Sequence, residues 1–257
     1  MTWNVKCFDL YNWSMNKETA EKMMNIIKKE NPDILCLQEF YTDNNKFHNL
    51  EFIRDKLGFQ YVHFHNTLTL RNSDRWGIVT FSKYPIVDKQ ELIFENSKHN
   101  ACIITSIDIN GKVYKMMNMH LQSLHLAYAD YDYMEQVKAD LKSSDIEKTN
   151  SIFSKLKKAF QKRAHQIDII NKNKTGDHLI LCGDFNDISI SYTYEQLSRK
   201  MKDVFIEKGN GFSKTMDLFV PYLRIDFILV DKEIVVNSYK RIKKNLSDHY
   251  PVITTVE

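Results

Sequence analysis

Five short polar clusters stand at the ends of apolar runs, and their side chains are of the types that hydrolysis at phosphorus requires. They are Asn4, Gln38 with Glu39, Asn118 with His120, Gly183 with Asp184 and Asn186, and Ser247 with Asp248 and His249; a sixth polar residue, Asp226, lies inside the apolar run 225–230. Carboxylates such as Glu39 and Asp248 offer the hard oxygen ligands that Mg2+ takes together with waters and phosphate oxygens. A water attacking phosphorus needs a carboxylate or imidazole to aim it, and the charge growing on the phosphoryl oxygens needs amide or imidazolium donors. No member of the set has to become a covalent nucleophile. Asp226 is costly to bury alone, which predicts a partner, and a histidine held in one tautomer is the expected kind. Each cluster alone has a plainer reading: a cap for Asn4, a surface charge for Glu39, a structural histidine for His120, a turn at 183–186 and a loop at 248–249. Their joint occurrence beside apolar runs selects the chemical reading.

The elements that must position these groups follow from periodicity and punctuation. Residues 17–30 read as a helix, because Ala20, Met23, Met24 and Ile27 keep an i, i+3, i+4, i+7 stripe, with Asn16 as N-cap. Asn31 before Pro32 ends it. Residues 33–39 read as a buried strand that delivers Glu39 at its C-terminal edge. Further strands are read at 2–6, 76–82, 178–182, 225–230 and 251–256, and His63 and His65 share one face of another, as a pair at a rim or surface. Asn110 with Gly111 predicts a hairpin between 101–108 and 112–119, whose second arm ends at His120. Phe153, Leu156, Phe160, Ile167 and Ile170 keep a helical stripe up to Gly176. Hairpins mixed with strand–helix alternation predict an α/β sandwich, two packed mixed β-sheets flanked by helices.

The chain has 257 residues, 43% hydrophobic and 27% charged. It is long enough to bury roughly three-quarters of its unfolded surface, and the composition excludes disorder. No repeat or low-complexity linker divides it, and 4 prolines and 7 glycines leave no hinge segment; residues 1–257 read as one domain with an insertion at 123–158. The net charge of +3 permits a phosphate-bearing substrate but falls short of a dedicated nucleic-acid binder. The lysine-rich run 155–163 reads as a solvated helix face. Cys7, Cys36, Cys102 and Cys182 lie in or beside apolar runs without CxxC or disulfide-like spacing, as buried free thiols of a reducing compartment do. No run approaches the roughly 18 apolar residues of a membrane span, and the first residues are too polar for a signal peptide. A soluble, cytoplasm-like domain is expected; with Asn4 so near the first residue, an upstream segment such as an anchor stays open.

The order of the motifs carries a resemblance. Thr-Trp-Asn-Val at 2–5, Leu-Gln-Glu at 37–39, Met-His-Leu at 119–121, Gly-Asp-Phe-Asn at 183–186, Arg-Ile-Asp-Phe-Ile at 224–228 and Ser-Asp-His-Tyr-Pro-Val at 247–252 resemble the endonuclease/exonuclease/phosphatase (DNase I-like) superfamily. The segment 75–86 is similar to its Gly-x-Ala-Ile-Leu-Ser-Lys-x-Pro-Ile stretch, and the resemblance spans residues 2–256. It implies a four-layer α/β sandwich with the site at one mouth between the sheets, and Mg2+ or Mn2+ as cofactor. Carried over residue by residue, it makes Glu39 the principal metal ligand, with Asn4 and Asp248 beside the ion. Asp184 resembles the residue that orients or deprotonates water, and Asn186 one that holds the phosphate. His249 would contact the scissile phosphate or act as base, oriented by Asp226. His120 would stabilise the phosphate or assist the leaving group, with Asp74 orienting it. The choice of base between Asp184 and His249 stays open.

The substrate is less legible. Disulfides of secreted DNase I-like enzymes, the Trp-Asn-x-Asn-Gly opening of abasic-site endonucleases and the Trp-Cys-Asp-Arg segment of inositol-polyphosphate 5-phosphatases are all missing. Tyrosyl-DNA phosphodiesterases share Thr-Trp-Asn and a stretch like His-Leu-Gln-Ser at 120–123. A bacterial branch without an assigned substrate carries that stretch together with Phe-Asp-Leu-Tyr-Asn-Trp, found here at 8–13. In the insertion, Tyr128, Tyr131 and Tyr133 alternate with Asp130 and Asp132, rings that either stack on bases or pack the insertion down. Gln122 and Tyr128 are the expected substrate contacts. The leading expectation is a metal-dependent phosphodiesterase, a nuclease first, working as a monomer without an obligate protein partner. Its alternatives are a phosphatase acting on a phosphorylated small molecule, a phospholipase acting on a lipid head group, and a catalytically silent binding module.

Overall fold

The computed structural model describes residues 1–95, 97, 99–124, 133, 145–217 and 223–257. Among them the apolar runs form two six-stranded mixed sheets. The first contains β1 (Thr2–Asn4), β2 (Ile34–Thr42), β3 (Tyr61–Leu70), β4 (Asp74–Ser82), β11 (Val236–Arg241) and β12 (Val252–Val256), in the order β11-β12-β1-β2-β4-β3. The second contains β5 (Ile86–Ile93), β6 (Ala101–Ile109), β7 (Lys112–His120), β8 (Leu179–Asp184), β9 (Met201–Asp203) and β10 (Asp226–Asp231), in the order β5-β6-β7-β8-β10-β9. Each sheet holds one parallel pair, β1 with β2 and β7 with β8. Parallel neighbours need a crossover, and helices supply it: α1 (Thr19–Glu30) in the first sheet and α3 (Ile146–Asn173) in the second, with α2 (Asn49–Lys56), α4 (Tyr192–Ser198) and α5 (Val204–Lys208) elsewhere.

α1 buries Met23, Met24 and Ile27, as its periodicity predicts, and stops at Asn31, whose left-handed backbone donates its N–H to the Ile27 carbonyl. Asn16 does not cap it: its Oδ1 accepts the Glu18 N–H at 3.0 Å in the preceding turn. α3 departs further from the reading. It runs unbroken from Ile146, through the later part of the stretch taken as an insertion, and it turns Phe153 and Phe160 to solvent while burying Ile152, Ala159, Arg163, Gln166, Ile167 and Ile170. The lysine-rich run 155–163 therefore ends on a buried residue. The four cysteines are free and buried. Among the described residues no helix is long and apolar enough to cross a membrane.

Polar ties hold the sheets in register. Gln38 on β2 donates to Asn118 Oδ1 on β7 at 2.7 Å, and Asn118 donates to the Val79 carbonyl on β4 at 2.9 Å. His63 on β3 is another, with Nδ1 at 2.8 Å from Thr105 Oγ1 on β6. It is 3% exposed, so the expected rim position holds only for His65, which pairs with Glu91 at 2.6 Å. Burial, with help from Lys89, lowers the His63 pKa from 6.5 to about 4. Between those values the unfolded chain binds a proton that the folded chain refuses, so acid favours unfolding. Stability is expected to fall by about 2 kcal/mol between pH 7 and pH 5 in excess of the fall seen for His63→Gln. Urea unfolding of both proteins at the two pH values measures it; parallel losses would show that His63 does not titrate there.

Candidate active site

β2 is a strand whose alternation alone would send Glu39 towards the same helix-covered core as Leu35 and Leu37. A bulge prevents this: Leu37 pairs with Val79 and Phe40 with Gly77, so Gln38 and Glu39 together face one residue of β4. Glu39 takes φ +47, a left-handed conformation that costs a non-glycine residue about 1–3 kcal/mol, and such bulges re-aim side chains at sites. Phe40 then fills the core, and Glu39 is turned away from it by the bulge, inside β2 and three residues before the strand ends at Thr42 rather than at its C-terminal edge as the sequence suggested. Asn4, at the end of neighbouring β1, donates its Nδ2 to Glu39 Oε1 at 3.0 Å and to Asp184 Oδ2 at 3.1 Å, the latter 180 residues away.

Asp184 ends β8 beside His120, the last residue of β7. Gly183 permits this close approach, since a Cβ there would lie 2.0 Å from the Met119 carbonyl oxygen. Asp184 is 1% exposed and accepts the Asn186 N–H at 2.8 Å and Asn186 Nδ2 at 3.2 Å. Asn186 Nδ2 also donates to the Leu121 carbonyl at 2.9 Å. His120 Nε2 lies 3.7 Å from Asp184 Oδ2 and 3.7 Å from Glu39 Oε1.

The partner that Asp226 requires is His249. Its Nδ1 lies 2.9 Å and 3.1 Å from the two Asp226 oxygens, and its Nε2 is 3.7 Å from Asp184 Oδ2. Both groups are buried. Burial opposes charge on His249, but Asp226, Asp184 and Asp248 outweigh it and raise its proton affinity well above that of free histidine. Burial also pushes the Asp226 carboxyl from 3.8 up to about 6, partly offset by His249. Each partner favours the charged form of the other, Asp226 raising the proton affinity of His249 and His249 lowering that of Asp226. Asp248 is shifted the other way: burial would raise it, yet His249 and Lys6 hold it below its usual value, Lys6 Nζ lying 2.9 Å from its Oδ2.

Short ties lock the two chain ends onto each other. Ser247 Oγ donates to the Asn4 carbonyl at 2.9 Å, and Trp3 Nε1 donates to the His249 carbonyl at 2.9 Å. Thr215, which the sequence reading did not single out, accepts the Ile225 and Asp226 N–H groups on Oγ1 at 3.0 Å each, and its carbonyl accepts the Tyr250 N–H at 2.7 Å. It holds Asp226 and the His249 segment at one spacing. A lone threonine in a loop carries no periodic or motif signal.

Arg163 was missed for the opposite reason, since it sits in a lysine-rich run. It is 1% exposed, donates to Asp187 Oδ2 at 3.0 Å and to the Gln122 carbonyl at 2.7 Å, and so braces both segments that flank Asn186. Removing one member of a buried pair leaves the other uncompensated, so Arg163→Met is expected to cost about 3 kcal/mol of stability in denaturant unfolding. A loss below about 1 kcal/mol, the size of an exposed pair, would contradict that role.

The remaining expected residues are placed as follows. Gln122 is buried, its N–H bonded to Gln166 Oε1 at 3.0 Å and its Nε2 donating to the Ser123 carbonyl at 3.1 Å. Asp74 accepts from Ser73 Oγ at 3.1 Å, and among the described residues no hydrogen bond joins it to His120. Tyr128 and Tyr131 lie outside the described residues; Tyr133 is buried, its hydroxyl donating to the Asp145 carbonyl at 2.7 Å, the packing role rather than the stacking one. Arg224, beside Asp226 in sequence, turns to Asp203 at 2.7 Å and takes no part in the site.

The donor chemistry fits a hard divalent cation. Glu39, Asp184, Asp226 and Asp248 bring four carboxylates together, and among the described residues the basic groups beside them are His120, His249 and Lys6. A phosphate would be repelled from such a crevice unless further positive charge were present. Asp184, Asp226 and His249 each offer a ligand atom within 4.8 Å of the others.

Two packed six-stranded sheets flanked by helices, with carboxylate, amide and imidazole groups gathered at the strand ends, define a DNase I-like α/β sandwich. The chain belongs to the endonuclease/exonuclease/phosphatase family, whose model matches residues 1–249, and members of that family are hydrolases of phosphoesters. Among solved structures it is similar to the endonuclease/exonuclease/phosphatase from Bacteroides vulgatus, at 17% identity and TM-score 0.68, over 100% of this chain and 97% of that one. D. rerio TDP2 complexed with single strand DNA product matches at 15% identity and TM-score 0.66, over 100% and 97%. Sphingomyelinase C from Streptomyces griseocarneus matches at 16% identity and TM-score 0.59, over 98% and 97%. Among curated protein sequences none matches.

Proposed function

We propose that residues 1–257 act as one catalytic domain, a Mg2+- or Mn2+-dependent phosphodiesterase that hydrolyses its substrate by in-line attack of water, with a nuclease as the first form of that activity. The observation that carries the reading is the approach of both imidazoles and Asn4 to one buried carboxylate, Asp184, from segments far apart in the chain. Glu39 and Asp248 would hold the ion, with Asn4 beside it tying Glu39 to Asp184. When bound, the ion supplies positive charge to the phosphoryl oxygens and helps ionise water.

Asp184 is the acceptor for the proton of the attacking water. Three donors from Asn4 and Asn186 occupy three of its roughly four lone-pair directions and leave one for that water. His249, whose proton affinity Asp226 raises, donates to the phosphate on this reading rather than taking a proton from water. Asn186 and His120 complete the set of neutral and cationic donors around the phosphate. On this reading Asp184 takes the acceptor role and His249 the donor role, the two that the sequence left open.

A lipid head group is the second reading, favoured by the shared sandwich of sphingomyelinase C. Turnover of bis-p-nitrophenyl phosphate against p-nitrophenyl phosphate, followed by DNA, RNA and sphingomyelin, with and without EDTA, ranks the readings. EDTA-sensitive turnover of the diester is expected. Hydrolysis of the monoester alone would replace the phosphodiesterase reading by a phosphatase, and no hydrolysis at all would leave a silent binding module. The enzyme is expected to work as a monomer without an obligate protein partner, which light scattering of the pure protein checks.

A further inference from the structure

The loop between β1 and α1 contains Phe8-Asp-Leu-Tyr-Asn-Trp13, a run that the hydrolytic scheme does not use. Its backbone is strained. Lys6, Cys7, Phe8 and Asp9 have φ of +42, +54, +53 and +58, four successive left-handed residues without a glycine, each costing roughly 1–2 kcal/mol. Conformations of that kind persist when the surroundings over-determine them. Here Phe8 is buried edge-on against Phe40, Asn4 Oδ1 accepts the Lys6 N–H at 3.1 Å, and Asp9 Oδ1 accepts the Ser14 N–H at 3.1 Å. The turn swings Lys6 back onto Asp248 and sets Tyr11 and Trp13 at the rim, 61% and 48% exposed and in contact at 4.9 Å between ring centres. Lys6 Nζ lies 5.2 Å from the Trp13 ring, so contacts run unbroken from Asp248 to an exposed aromatic pair.

Tyr11 is also one wall of a cleft of about 240 Å³ whose other walls include Tyr41, Leu70, Arg71, Asp74 and Trp76. Tyr41 stands two residues beyond Glu39 and packs on Trp76 at 4.9 Å. The cleft is smaller than the roughly 300–1,000 Å³ that engulfs a whole drug-sized ligand, and so suits one ring system. Its faces are aromatic and apolar, while Arg71 and Asp74 add a donor and an acceptor. A flat ring with polar groups on its edge matches both features.

We propose that this cleft is a nucleobase subsite, so that the esters turned over carry a nucleoside on the phosphate held near Asp184 and His249. The assignment rests on the phosphodiesterase reading. A bilayer-seeking surface would present a protruding apolar patch with basic residues around it; here Tyr11, Tyr41 and Trp76 line a concavity that contains Asp74. A quaternary ammonium is attracted by aromatic faces, but Arg71 in the same cleft opposes a cation.

Three diesters with one leaving group test this: p-nitrophenyl phosphate esterified to thymidine, to methyl or to choline. The expected result is a kcat/KM for the thymidine ester at least about tenfold above the methyl ester, reduced about tenfold as a ratio by Tyr11→Ala and retained by Tyr11→Phe, as a stacked base worth about 1–3 kcal/mol requires. Equal rates for thymidine and methyl esters, an equal loss of both in Tyr11→Ala, or a preference for the choline ester would overturn the subsite while leaving the phosphodiesterase standing. If wild-type protein hydrolyses none of the three, the hydrolytic reading fails first. The subsite is then decided by quenching of tryptophan fluorescence with thymidine 5′-monophosphate: quenching that Tyr11→Ala weakens supports it, and no quenching overturns it.

Discussion

Replacing Asp184 by asparagine is expected to lower kcat by about 10³–10⁴, with a much smaller change in KM, because the loss falls on the chemical step. The substitution keeps the shape of the side chain and removes its charge and its proton affinity. Three hydrogen bonds from Asn4 and Asn186 reach this carboxylate, and both imidazoles lie 3.7 Å from one of its oxygens. An amide oxygen can still accept some of those bonds, so the fold should survive, which unfolding by denaturant checks in the same preparation. Metal-dependent turnover of a chromogenic diester provides the rate. A folded Asp184→Asn protein within tenfold of wild type would remove Asp184 from the proton transfer.

His249→Ala should cost at least about 10³ in kcat, and its dependence on Asp226 makes the more searching experiment. Under the proposed scheme Asp226 acts on the substrate through His249, whose Nδ1 lies 2.9 Å from its Oδ2. Asp226→Asn is therefore expected to cost about 10²–10³ when His249 is present and less than about threefold when it is alanine, since residues acting as a unit are strongly non-additive. The four proteins of this cycle, assayed on one diester, give the coupling directly. Equal effects of Asp226→Asn in both backgrounds would mean that the carboxylate acts independently, as a metal ligand among other roles. The ligand-like convergence of Asp184, Asp226 and His249 makes that outcome a real competitor, and the cycle separates it from the orienting role.

Much of this was visible before any fold was known. Apolar runs that end in Glu39, His120 and Asp184 are read from local periodicity, because burial of a strand demands it and function needs the polar residue just past it. The hairpin around Asn110 and Gly111, the stop of α1 at Asn31 and the need of Asp226 for a partner likewise depend on a few neighbouring residues. The helix bearing Phe153 and Phe160 shows the limit. Its apolar residues can be connected into a stripe, but the face that turns inward was chosen by Arg163 and Gln166, whose partners Asp187 and Gln122 lie in other segments. The left-handed turn at 6–9 and the bulge that aims Glu39 have no local signature at all, because non-glycine residues adopt such backbones only where surrounding packing outweighs the strain. The amino-acid sequence by itself thus determined the residue types, the apolar runs that carry them and, through the family resemblance, the pairing of Asp226 with His249; only tertiary structure decided that Asn4 bridges Glu39 and Asp184 and that Thr215 and Arg163 brace the segments around them, since those contacts are made by packing between segments distant in the chain.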